Sequence, residues 1–198
     1  LDLDSKQDNT LTYETISGNY PDGSTYELRK PIYSFINEQF GNLSGVQTSP
    51  RVAQQTIGLG LISALPDIEI LKFEDPSDAN NDGISGRANM VYNYETNSTQ
   101  LGKYGWKANA PTLKQQLAAA FHGDMGLTTS IFETNNCPSP QQDCIDAPNG
   151  GAPEVTDIQL DRVLFYQAHL AVPNRRNFLD ENVLKGKNIT ANYNNYTT

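Results

Sequence analysis

The sequence predicts a mainly α, loop-rich helical domain with an added β-hairpin, and three observations carry that prediction. Apolar residues recur at helical spacing in several stretches of the 198-residue chain, long polar loops separate those stretches, and only one strand pair is evident. A chain of this length is about one domain by the usual prior of ~100–200 residues, so a single domain over 1–198 is expected. The hairpin lies at about 12–33 within it and a helical core at about 50–187.

The hairpin rests on alternation around Tyr13, Thr15, Tyr26, Leu28 and Tyr33, with Pro21 and Gly23 supplying turn geometry between the strands. Pro50 opens a stretch with Val52, Ile57, Leu61, Ala64 and Leu65 at near-helical spacing, ended by Pro66. Gly58 and Gly60 weaken that helix but permit close approach by another element. A short helix is expected at 67–73 and an acidic, polar loop at 74–86. Pro111 suits the first turn of a helix carrying Leu113, Leu117 and Ala120, which Gly123 would end after about Phe121. Residues 133–154 hold both cysteines and several prolines and form a long irregular excursion. Thr156 with Gln159 makes a capping box for a helix burying Leu160, Val163, Leu164, Ala168 and Ala171, stopped before Pro173. A last short helix at about 180–189 precedes an Asn- and Tyr-rich end.

Charge and composition narrow the function classes. Twenty-three acidic against 14 basic residues leave a net charge of −9, which repels phosphate backbones, so nucleic acid is not an expected partner. No apolar run approaches the ~20 residues that a membrane span needs. Leu1 is not an initiator Met, and neither a basic nor an apolar leader segment follows it, so a processed chain or an excerpt of a longer one is expected. Abundant Asn, Gln, Thr, Ser and Tyr with little Lys suit an extracytoplasmic surface. Sequons at Asn42, Asn97, Asn188 and Asn195 agree with that, although so Asn-rich a chain produces such triplets by chance.

The sharpest local signal is Asp78-Ala-Asn-Asn-Asp-Gly83, followed by Ile84. Oxygen ligands from Asp78, Asn80 and Asp82, with the Ile84 backbone carbonyl next, let one short loop wrap a hard cation such as calcium. The twelfth position, where an EF-hand carries a bidentate Glu, is Asn89; Glu74, Asp75 or a distant residue would have to complete the shell. The alternative is an Asx-rich turn held by its own side chains. Cys137 and Cys144 are too few for a cysteine-rich scaffold or an all-thiolate zinc site, and their spacing excludes a Cys-x-x-Cys redox pair. A local disulfide is the natural reading in an oxidising compartment, with two buried free thiols as the alternative. His169 lies beside the core stripe of its helix and reads as structural or exposed, whereas His122, directly after a helix, is the better functional candidate. Walker, dinucleotide and Gly-x-Ser-x-Gly signatures are all missing.

Several blocks in order resemble the bacterial di-haem oxidoreductase family. They are Thr12 to Pro31, Ser49 to Pro66, Asp82-Gly-Ile-Ser-Gly-Arg-Ala-Asn89 and Gly102-Lys-Tyr-Gly-Trp106 through Gln116. The resemblance continues through Gly123-Asp-Met-Gly126, the cysteine loop, and Phe165-Tyr to Arg176, and covers about 11–187. It implies a distant kinship with the di-haem cytochrome c peroxidases, hence a cytochrome c-type fold, haem c as cofactor and a periplasmic or cell-surface location. Neither Cys-x-x-Cys-His attachment motif is present, so the chain resembles the segment between the two motifs: an excerpt or a haemless descendant.

By the same resemblance Trp106 corresponds to the tryptophan between the haems that helps pass electrons, the alternative being a core or surface Trp. Gln115 or Gln116 falls near the distal-pocket glutamine, with Gln116 the site candidate. Asp124 falls near the acid–base carboxylate of peroxide cleavage, with helix-end solvation as the alternative. Met125 and His122 are the cofactor-binding candidates, a thioether being one known axial ligand. The implied function is the inter-haem core of a di-haem c-type oxidoreductase, engaged in electron transfer and peroxidase-like chemistry, with an electron-donor or acceptor protein as partner. The rival reading is a haemless, calcium-stabilised extracellular interaction module.

Overall fold

The computed structural model describes residues 8–36, 40–41, 43–48, 50, 52–139 and 141–193. Among them are six helices and two separate antiparallel hairpins joined by long loops. The architecture is therefore mixed α and β, not the mainly α, cytochrome c-type domain that the periodicity predicts. Two things overturn that expectation. Three of the helices are only four to six residues long, and a second hairpin occupies a segment whose strands are too short to show alternation. The chain divides into two compact units, one of Leu1–Pro50 with Ala119–Val155, the other of Arg51–Ala118 with Thr156–Thr198.

The first unit carries the long hairpin, β1 (Asp8–Asn19) and β2 (Thr25–Ile36), paired from Asp8↔Ile36 to Asn19↔Thr25. Tyr20 accepts from Gly23 N, and Asp22 accepts from Ser24 N and Oγ, so the Pro-Asp-Gly segment closes the turn through its own carboxylate. In the second half of this unit the polar Thr128, Thr129 and Gln141 are buried, as is Val155, whose N–H donates to Thr128 O. Thr129 Oγ1 accepts from Ile131 N and Phe132 N, and Gln141 Nε2 donates to Gly41 O. Within the irregular excursion lies a single helical turn, α4 (Gln142–Ile145).

The second unit holds α1 (Leu59–Ala64), α2 (Asp67–Leu71), the short hairpin β3 (Met90–Asn93) and β4 (Ser98–Leu101), and α5 (Asp157–His169) with α6 (Glu181–Tyr193). The helix expected from Pro50 begins only at Leu59, because Gly58 takes a left-handed conformation and donates its N–H to Leu170 O. Gly60 lets α1 lie directly on α5: a β-carbon there would collide with the Ala168 backbone. Tyr104, Ala110 and Leu113 form the buried core, with Leu59, Ile62, Leu117, Leu164 and Ala168 packed on it. The Thr156–Gln159 capping box is complete in both directions, and Leu160 is fully buried.

Helix α3 (Leu113–Met125) runs through the division between the units. Thr112 Oγ1 accepts from Gln115 N and caps it, so Pro111 precedes the helix and does not sit in its first turn. The helix passes through Gly123 and stops at Gly126, whose φ of 70° supplies the left-handed exit. Of the sequons, Asn97 is exposed at the β3–β4 turn and Asn188 lies on α6; Asn42 and Asn195 fall outside the described residues.

Candidate functional site

In the second unit Gln116 lies on α3 itself and Trp106 on the loop between β4 and α3. Tyr104 and Ala110 exchange backbone hydrogen bonds across its base, and Ala108 N donates to Gly105 O, so Trp106 stands at the corner of a tight turn. The indole is 67% exposed, with Nε1 donating to Val52 O at 2.9 Å. Trp106 is thus a surface tryptophan held by a polar contact and not part of the core. Nearby in sequence, the hydroxyl of buried Tyr104 bonds to Ser63 Oγ of α1.

The two glutamines separate cleanly. Gln115 is buried; its Oε1 accepts from Tyr94 N and its Nε2 donates to Tyr92 O, both at 3.0 Å, which commits it to joining the hairpin and α3. Gln116 is half-buried, and its carboxamide oxygen sits 3.4 Å from where a β-carbon on Gly105 would stand. The structure therefore brings Gln116 beside the Trp106 turn.

His122, Asp124 and Met125 lie in the first unit. The His122 ring stacks on Phe132 and its Nε2 pairs with Thr134 O at 2.8 Å, which ties the end of α3 to the excursion. Asp124 is exposed. Met125, 55% exposed, lines a cavity of about 380 Å³ with Phe40, Pro138, Glu154 and the cysteine pair. Cys137 and Cys144 form a disulfide, with Cα atoms 5.8 Å apart.

Glu154 is a residue that sequence reasoning misses. Its Oε2 accepts from Thr128 N and Oγ1, its Oε1 accepts from Gly150 N at 2.8 Å, and Glu154 N donates back to Thr128 Oγ1. The Thr128 and Gly150 N–H groups hold its carboxyl below the usual carboxylate range, against the opposing effect of burial. No motif surrounds it, because its partners lie four and 26 residues away.

The 74–86 segment is closed by an Asp75↔Gly86 bridge and brings Asp78, Asn80, Asp82 and Ile84 into one ring of bonds. Asp78 Oδ1 accepts from Asp82 N and Gly83 N, Asn80 Oδ1 from Asp82 N, and Asp82 Oδ1 from Ile84 N. Asp75 Oδ1 accepts from Ala79 N, and Glu74 Oε1 from Ala88 N. This is the geometry of the Asx-rich turn. Among the described residues no group of three or more His, Cys, Asp or Glu side chains is gathered as a metal centre would require.

Over residues 2–198 the chain matches the family described as "di-haem oxidoreductase, putative peroxidase". The chain belongs to that family. Among curated proteins and solved structures nothing matches it. Membership in the di-haem oxidoreductase family implies haem, and the residues here decide how far this chain could hold it. Covalent c-type attachment needs two free thiols and a histidine in one short run. Both cysteines are consumed by the disulfide, they are seven residues apart, and neither histidine lies directly after a cysteine. These residues do not fit covalent haem attachment. Among the described residues no helix is long and apolar enough to cross a membrane.

Proposed function

We propose that this chain is the inter-haem core of a periplasmic or cell-surface di-haem c-type oxidoreductase, its haems attached by Cys-x-x-Cys-His motifs outside these 198 residues. The observation that carries the reading is a family match across 2–198 in a chain whose only thiols are paired with each other. Haem supplies one-electron and peroxide chemistry in such proteins. This chain's share is positional: Trp106 presents a fixed, exposed indole as a polarizable bridge, with Gln116 beside its turn. Asp124, exposed at the end of α3, is the proton-transfer candidate, and Met125 and His122 are the cofactor-binding candidates. The disulfide suits an oxidising compartment. An electron-donor or acceptor protein is the partner that this reading calls for.

A second reading, a haemless, calcium-stabilised extracellular interaction module, rests on the Asp-x-Asn-x-Asp-Gly spacing of residues 78–83. The absorbance spectrum of the full-length native protein separates the two. A Soret band with a reduced α band is the expected result, and a colourless full-length protein favours the module.

A further inference from the structure

We propose that Asn89 is the positioning residue of the Trp106 indole. Its Nδ2 donates to two successive carbonyls on the far arm of the tryptophan turn, Lys107 O at 2.9 Å and Ala108 O at 3.0 Å. Its own backbone carbonyl accepts from Gly102 N at 2.8 Å on the near arm. One residue therefore grips the loop where it enters and where it leaves. The grip leaves no slack: a β-carbon on Gly102 would collide with the Ala108 carbonyl, and Ala108 itself is held at a φ of 48°, a conformation that a non-glycine residue adopts only when its surroundings fix it. Between these anchors the Gly105–Ala108 turn sets Trp106 at the corner, and the bond to Val52 O fixes the direction of the ring.

Packing alone does not hold a side chain that is 67% exposed, so polar anchors set its position. Asn89 is exposed as well, and its substitution opens no cavity. The purpose of a fixed indole rests on the electron-bridge reading above; the positioning itself does not.

Trp106 is the one tryptophan in the chain, so its fluorescence and its indole N–H resonance report this side chain alone. Asn89→Asp keeps the shape but replaces both donors with an oxygen facing two carbonyls, and Asn89→Ala removes the side chain. In the 198-residue chain both variants should lower the fluorescence anisotropy, raise acrylamide quenching about twofold and speed indole N–H exchange about tenfold, with far-UV circular dichroism unchanged. Asn89→Ser, which keeps one shorter donor, should fall between them and the parent, and it serves if either of the others fails to fold. Folded variants with the parent's anisotropy, quenching and exchange overturn the proposal. In the haem-loaded full-length protein Asn89→Asp should slow electron transfer in the parent but add nothing to Trp106→Phe. A loosened indole with parent-like electron transfer upholds the positioning and overturns the bridge reading instead.

Discussion

Glu154 shows how a single side chain can organise a loop region without leaving a trace in the sequence. Its carboxyl titrates lower in the folded protein than in the unfolded chain, where it is ordinary at about 4.3. The stability it contributes is therefore complete above that ordinary value and is lost as pH falls through the depressed one. Glu154→Gln keeps the shape but turns an NH₂ group toward one of the present donors. Solvent screening at this half-buried site holds the expected loss to about 1–2 kcal/mol at pH 7, and urea titrations at pH 7 and pH 3 should show the parent–variant gap closing in acid. The roles proposed for Trp106 and Asp124, by contrast, rest on the order of residue types that the resemblance supplies. Trp106→Phe keeps an aromatic filler at an exposed site, so its melting temperature should stay within a few degrees of the parent while inter-haem electron transfer in the full-length protein slows. Asp124→Asn should slow the reaction with peroxide and leave electron transfer intact, because it removes a proton-transfer group and retains the shape. Parent-like stopped-flow traces for both variants would reject these two assignments.

At the scale of elements, the sequence showed most clearly what local chemistry decides. The capping box of α5 and the β1–β2 turn are built from residues within a few positions of one another. The β3–β4 hairpin escaped because four-residue strands carry almost no alternation. Its turn is set instead by buried Asn93, whose Oδ1 accepts from Glu95 N and Thr96 N. Helix α3 outran its predicted stop because a glycine ends a helix only where the chain needs a left-handed exit, which here is Gly126 and not Gly123. The excursion depends on its crosslink: reducing Cys137–Cys144, or replacing both with Ser, should cost about 2–3 kcal/mol by loop-closure entropy and lower the melting temperature by roughly 4–10 °C. Alkylation of both thiols in the native, unreduced chain would refute the crosslink.

The 78–85 loop makes a separate prediction at this scale. The two Asp82 carboxylate oxygens each accept one N–H and keep a second lone pair, so that bonding does not by itself bar a cation. Millimolar calcium should raise the melting temperature by several degrees through mass action on the folded state, chelation should reverse the rise, and Asp82→Ala should abolish it. An unchanged melting curve would leave the loop as the self-satisfied turn that its hydrogen bonds already describe.

Across the whole molecule, the family was readable because ordered blocks of residues survive even where the fold class misleads. The helix expected at 180–189 is present and that expected from Pro50 is only partly so, yet the long loops owe their order to side chains such as Asn89, Glu154 and Asp78, whose bonds do not follow any period. The decisive whole-molecule test concerns haem. A chain expressed alone with the machinery for c-type maturation should carry no haem after denaturation, because its two cysteines are seven residues apart and bonded to each other. The full-length protein, denatured in the same way, should retain covalently bound haem at two equivalents per chain if attachment motifs flank this segment, as the di-haem family description implies. Haem-specific staining of both on one denaturing gel reads the two expectations together. Covalent haem on the isolated chain would contradict the disulfide and the fit argument at once. A haem-free full-length protein would remove the electron-transfer reading, and then calcium dependence in the same preparation would decide for the interaction module.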